Sequence, residues 1–74
     1  MEKREEEMNK TKKAIFNAAI KVFSIEGYDS ATVEEIASEA GVAKGTLYYN
    51  FKCKEEIFKF VIDEGMKIIK NEVL

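Results

Sequence analysis

Seventy-four residues make one small domain and no more, near the lower limit of chains that fold without disulfide or metal staples. With 46% apolar residues, four glycines and no proline, the composition suits a packed helical domain, while a single cysteine excludes an internal disulfide scaffold and fits a reducing cytosol. Charged residues amount to 35%, with a net charge of −2, a balance that taken alone argues against a nucleic-acid partner.

Distribution says more than the total. Lys10, Lys12, Lys13 and Lys21 lie in an acid-free stretch from Met8 to Ile25, and Lys44, Lys52 and Lys54 in another from Ala40 to Lys54. A fold that brings the two stretches together would have one basic face. No apolar run reaches the length of a signal-peptide core or a spanning helix, so the expectation is a cytoplasmic chain that spans no membrane.

Residues 1–9 are charged and expected to fray. The first helix is expected over 10–26, where Ile15, Ala18, Ala19, Val22 and Phe23 follow the helical apolar template and Phe16 and Ile20 widen the stripe. Gly27 is placed to end it in the left-handed conformation, with Tyr28 folded back on Phe23. Thr32-Val33-Glu34-Glu35 reads as a capping box, flanked by Ala31 and Ile36 as a hydrophobic staple. It opens a second helix over 33–40, with Val33, Ile36, Ala37 and Ala40 inward, stopped by Gly41. A third short helix is expected over 43–49. After a break at 50–52 a last helix runs over 53–73, with Ile57, Phe58, Val61, Met66, Ile68 and Ile69 inward. Ile68, Ile69, Val73 and Leu74 are apolar and followed by neither a glycine cap nor a cationic turn, which reads as a cut within, or just after the first domain of, a larger protein.

Counted from Val33, Ala37, Gly41 and Leu47 hold the fifth, ninth and fifteenth places of a twenty-residue window. Each place has a steric reason. Ala37 lets the next helix cross closely, Gly41 supplies a positive-φ turn between helices meeting at a steep angle, and Leu47 plugs that angle with Ile36 and Val42. All three are expected to be buried together. This is the pattern of a DNA-type helix-turn-helix, whereas a generic helical hairpin needs only the plug. The eighteenth place, usually apolar, is Asn50, with Phe51 next to it.

The wording around this window, Gly27-Tyr28, Ala31-Thr32-Val33, Ile36-Ala37, Ala40 to Phe51 and Lys54-Glu55-Glu56, resembles the signature of TetR-family transcriptional regulators from about Thr11 to Phe60. The resemblance implies an all-α fold, a homeodomain-like three-helix helix-turn-helix core over 10–52 with a longer C-terminal helix over 53–74 leading towards an absent effector-binding domain. It implies a sequence-specific DNA-binding regulator, a repressor, with the helix at 43–49 in the major groove of a double-stranded DNA operator. Thr46, Tyr48, Asn50 and Lys54 match positions that hold phosphates, Thr32 lies at the helix start abutting the backbone, and Ala43, Lys44, Gly45 and Tyr49 match positions facing base edges. The residue types agree. Tyr and Asn donate to phosphate without sequence preference, and lysine adds a salt-sensitive charge. Gly45 permits close approach, and Lys54 adds its charge to the free amides of a helix start. Tyr48 and Tyr49, about 100° apart on a helix, cannot both be core.

Two departures from the family's usual residues stand out: Ala43 where Ser is frequent, which removes a cap and a phosphate donor, and Asn50 where His is frequent. Cys53 sits at the N-cap of the last helix, as an imperfect cap or, between Lys52 and Lys54, as a thiol open to a redox role. A homodimer formed through the absent C-terminal domain, and a small-molecule effector, are implied for the full-length protein only. No cofactor is implied.

Other classes find little support in the residues. The chain has no histidine, so enzyme chemistry lacks its commonest acid–base group, and Cys53 alone cannot build a metal site. Lys44-Gly45-Thr46 lacks the glycine before lysine and the strand that a phosphate loop needs. No aromatic sheet platform for RNA is visible. The alternative kept open is a helix-turn-helix used for protein contact without DNA.

Overall fold

A computed structural model of the chain describes residues 9–73, with side-chain surroundings for 9–67. Its order is α1 (Lys10–Glu26), α2 (Val33–Ala40), α3 (Lys44–Asn50) and α4 (Lys54–Val73), all-α as expected, with the starts of α3 and α4 one residue later than the sequence pattern placed them. The expectations for residues 1–8 and for the apolar tail at Ile68, Ile69, Val73 and Leu74 lie outside the described residues or side chains.

Helix α1 starts where the Asn9 side chain accepts from the Lys12 amide at 2.8 Å. Ile15, Phe16, Ala18, Ala19 and Val22 form its buried face. Ile20, expected to widen that stripe, is instead exposed, because it points away from the face that Ala19 and Val22 define. Gly27 ends the helix with its N–H on the Phe23 carbonyl. Its φ of +84° is positive, but ψ of 157° is extended. The cap is therefore not the left-handed helical one expected; the extended ψ sends the chain straight into the next loop. Tyr28 does fold back on Phe23, with ring centroids 5.6 Å apart.

The capping box forms as read: the Glu35 amide donates to Thr32 Oγ1 and the Thr32 amide to Glu35 Oε1, both at 3.1 Å. Glu34 and Glu35 add negative charge at the first turn, where the helix dipole favours it. Helix α2 ends in a Schellman arrangement, with Val42 N–H on the Ala37 carbonyl at 3.1 Å and Gly41 N–H on that of Ser38 at 3.2 Å. Gly41 is left-handed, φ +76° and ψ 27°. It is exposed, not buried with Ala37 and Leu47 as expected, because the turn it makes lies on the outside of the helix angle.

The core joins Ile15, Ala18, Ala19 and Val22 of α1 to Ala31, Val33, Ile36, Ala37, Leu47, Phe51 and Ile57. Leu47 and Ile36 are fully buried, so the plug closes the α2–α3 angle as predicted. Phe51, one place beyond the usual apolar eighteenth position, is buried and supplies what Asn50 does not. On α4, Ile57 is fully buried, and Phe60, absent from the expected inward set, packs on Phe51 at 4.9 Å and Phe16 at 5.9 Å. Phe58, expected inside, is 40% exposed yet meets Tyr28 and Phe23 edge-on at 5.0 and 5.5 Å. Met66 is exposed, since by that point α4 has run past the three-helix core. No helix among the described residues is long and apolar enough to cross a membrane.

Candidate nucleic-acid interface

Helix α3 is seven residues long, too short to be stable alone. It is held by Leu47 on its inner side and by the Phe51 amide on the Leu47 carbonyl at 2.8 Å. Anchored there, it turns the other side chains outward. Ala43, Lys44, Gly45, Thr46, Tyr48 and Tyr49 are all exposed, and Tyr49 reaches 88%. An ideal Cβ on Gly45 would meet nothing within 4 Å, so no contact inside the described chain requires glycine there. Ala43 is the N-cap of α3 and makes no side-chain cap hydrogen bond, so the first turn of α3 has free amides at the surface.

The remaining predicted residues are partly committed within the chain. Thr32 is exposed, but its hydroxyl and amide serve the capping box. Asn50 Nδ2 donates to the Thr46 carbonyl at 2.9 Å, which fixes the amide group beside Thr46 and leaves its second N–H and its oxygen for an outside partner. Lys44 lies 3.7 Å from Glu34 across the α2–α3 angle, both ends largely exposed, an ion pair worth at most about 1 kcal/mol. Lys21 likewise pairs with Glu39 at 2.9 Å. The two lysine-rich stretches therefore do not merge into one acid-free face, because tertiary folding brings α2 carboxylates to both.

Lys54 departs most from its expected place. Its ammonium donates to the carbonyls of Tyr28 at 2.7 Å, Asp29 at 3.2 Å and Ala31 at 3.1 Å and lies 4.5 Å from the Tyr28 ring centroid. The side chain expected on a DNA phosphate is thus turned onto the α1–α2 loop. The start of α4 is instead closed by Glu56, which accepts from the Lys52 amide at 2.9 Å. Cys53 is a free, exposed thiol.

Among the described residues two ionisable groups are displaced from their ordinary range. The Glu35 carboxylate, then burial, then a hydrogen bond to Glu35 raise the Glu26 carboxyl. Burial, then the nearby Glu55, raise the Tyr28 hydroxyl. Neither group lies on α3. Sequence reasoning missed Glu34, the Glu26–Glu35 pair and the carbonyl target of Lys54. Each joins residues on different elements, and no local spacing signals such contacts.

The family model for bacterial regulatory proteins of the tetR family matches residues 15–61, which takes in the core, the turn and α3. The chain belongs to this family. It is 37% identical over 68 residues to the uncharacterized HTH-type transcriptional regulator YerO of Bacillus subtilis, covering 86% of this chain and 24% of that protein. It is 44% identical over 52 residues to the fatty acid metabolism regulator protein of the same organism, covering 70% of this chain and 27% of that one. Among solved structures it is similar to the "Clostridium perfringens putative fatty acid metabolism regulator", with 64% identity and a TM-score of 0.77 over 80% of this chain and 32% of that one. The chain thus spans about a quarter of the length of these curated relatives. The relatives are transcriptional regulators, and the homeodomain-like helix-turn-helix with a longer fourth helix is the fold expected from the sequence.

Proposed function

We propose that this chain is the DNA-reading unit of a transcriptional repressor, with residues 10–52 as the binding domain and 53–74 as the segment connecting it to an effector-binding domain. Helix α3 enters the major groove of an operator duplex. Ala43, Lys44, Gly45 and Tyr49 face base edges. Thr46, Tyr48 and Asn50 hold phosphates, with Thr32 against the backbone at the start of α2. Lys54 stands apart, because its donors are spent inside the protein. The observation that carries this reading is the outer face of α3: Tyr49 at 88% exposure beside Gly45 in open space, on a helix too short to exist for its own stability. Tyr49 holds an aromatic face and a hydrogen-bonding hydroxyl in solvent, where a partner can reach both.

In the full-length protein the unit works as a homodimer reading two half-sites, with a small-molecule effector bound by the C-terminal domain. It acts in the cytoplasm, without catalysis and without a cofactor. The names of the two fatty-acid-metabolism relatives support genes of fatty acid metabolism as its targets. Fluorescence anisotropy with a palindromic duplex and a random duplex at two salt concentrations tests the reading. Binding that weakens steeply with salt is expected, and Tyr49→Ala reorders the preference among sequences while leaving the fold intact. No binding to any duplex, with a protein partner captured through α3 instead, overturns it in favour of a helix-turn-helix used for protein contact.

A further inference from the structure

An ammonium has three N–H donors and no acceptor. In Lys54 all three are engaged, on the carbonyls of Tyr28, Asp29 and Ala31. These oxygens belong to the loop between Gly27 and Thr32, which has left α1 and not yet entered α2, so helix hydrogen bonds do not serve them. The Tyr28 ring closes the cradle at 4.5 Å from the charge, within the range of a cation–π contact. That ring is wedged in turn between Phe23 of α1 at 5.6 Å and Phe58 of α4 at 5.0 Å. Lys54 and Phe58 are one turn apart on α4 and so share a face. Together they grip the loop twice, at its backbone and at its one aromatic side chain. The last of the three carbonyls, that of Ala31, directly precedes Thr32, the N-cap that fixes where α2 begins.

We propose that Lys54 is a positioning residue that pins the first turn of α4 to the α1–α2 loop, setting the start of α2 and thereby the helix-turn-helix, and is not a phosphate ligand. The inference deepens the DNA-binding reading and rests on it for its consequence: the placement of α3 in the groove follows from that of α2, so Lys54 serves binding without touching the duplex. A phosphate contact would require the ammonium to abandon three carbonyls and a ring.

Proton NMR of the chain, free and then saturated with a random-sequence duplex at low salt, tests the proposal. In the free chain the Lys54 ε-methylene protons should be shifted upfield by the Tyr28 ring, and Tyr28→Leu should abolish that shift. On saturation with duplex the shift should persist. Lys54→Met should lower the melting temperature and weaken binding to all duplexes while leaving the slope of log affinity against log salt unchanged. A lost phosphate contact would flatten that slope by about 0.9. An unshifted Lys54 in the free chain, a shift that vanishes on adding duplex, or a flattened slope in Lys54→Met each overturns the proposal. Should Lys54→Met fail to fold, the wild-type spectra still decide. Should no duplex bind at all, the DNA-binding reading falls, and the free-chain signature alone decides whether the latch exists.

Discussion

The junction of α1, α2 and α4 and the outer face of α3 are built on opposite rules. At the junction polar groups are paired within the chain: Thr32 with Glu35, Lys54 with three carbonyls, Glu56 with the Lys52 amide. Aromatic rings fill the space between, with Tyr28 and Phe58 at 5.0 Å. On α3 the N-cap has no side-chain hydrogen bond, Tyr49 stands almost fully in solvent and Gly45 faces open space. The two regions are joined through Leu47, Phe51 and Ile57, which are buried in one cluster. The difference separates residues that the fold needs from residues that it does not. A side chain whose type is explained by its neighbours is doing structural work; one whose neighbours would accept anything is available for a partner.

The largest test of that separation is at the seam. Leu47→Ala removes the fully buried plug between α2 and α3 and should cost about 2–5 kcal/mol, the range for truncating a buried leucine. In a domain this small that is a large share of the total stability. Thermal unfolding followed by circular dichroism reads it directly. A loss below about 1 kcal/mol would mean that α3 is not held to the core through Leu47, and the contrast between an anchored inner side and a free outer side would fail.

Gly41→Val probes the turn. Among the described residues nothing lies within 4 Å of a Cβ built there, so space is not the issue and the backbone decides. At φ +76° a β-branched residue is strained, and the substitution should destabilise by at least about 1 kcal/mol. Gly41→Asn, which tolerates the left-handed region better, should cost less. Equal melting temperatures for both variants and the parent would place the strain elsewhere.

What the sequence made legible follows the range of each interaction. The capping box at Thr32 and Glu35, the turn at Gly41 and the plug at Leu47 are local patterns whose geometry is set within a few residues, and they stand where the spacing put them. Phe58 and Phe60 were harder. Two aromatic positions on one helix differ by about 200°, and which of them faces the core depends on how α4 crosses α1, which no spacing reveals. Phe60 turned out to pack on Phe16 and Phe51 while Phe58 lies at the rim. Lys54 and Lys21 were the hardest, since their partners lie 23 to 26 and 18 positions away in the chain. A lysine beside a helix start looks the same in sequence whether it points out to a phosphate or back to a loop.

Gly45→Ala gives the smallest effect on stability and the sharpest one on meaning. Glycine inside a helix is ordinarily a liability, about 0.5–1 kcal/mol worse than alanine because of the backbone freedom it loses on folding. Gly45 lies within α3 with no positive φ and, among the described residues, no neighbour that a methyl group would touch. The fold therefore supplies no reason to keep it, and Gly45→Ala should stabilise the chain by up to about 1 kcal/mol, less if the first turn of α3 already frays. If the outer face of α3 lies against base edges, the same methyl intrudes on the groove and should weaken duplex binding while the melting temperature rises. Opposite signs from one methyl group are hard to obtain otherwise, because a variant that merely damages the fold lowers both quantities together. Unfolding and anisotropy measured on one preparation would read both. A more stable variant with undiminished binding would show that α3 does not approach DNA closely at Gly45, and the division between the two regions would have to be redrawn along the helix.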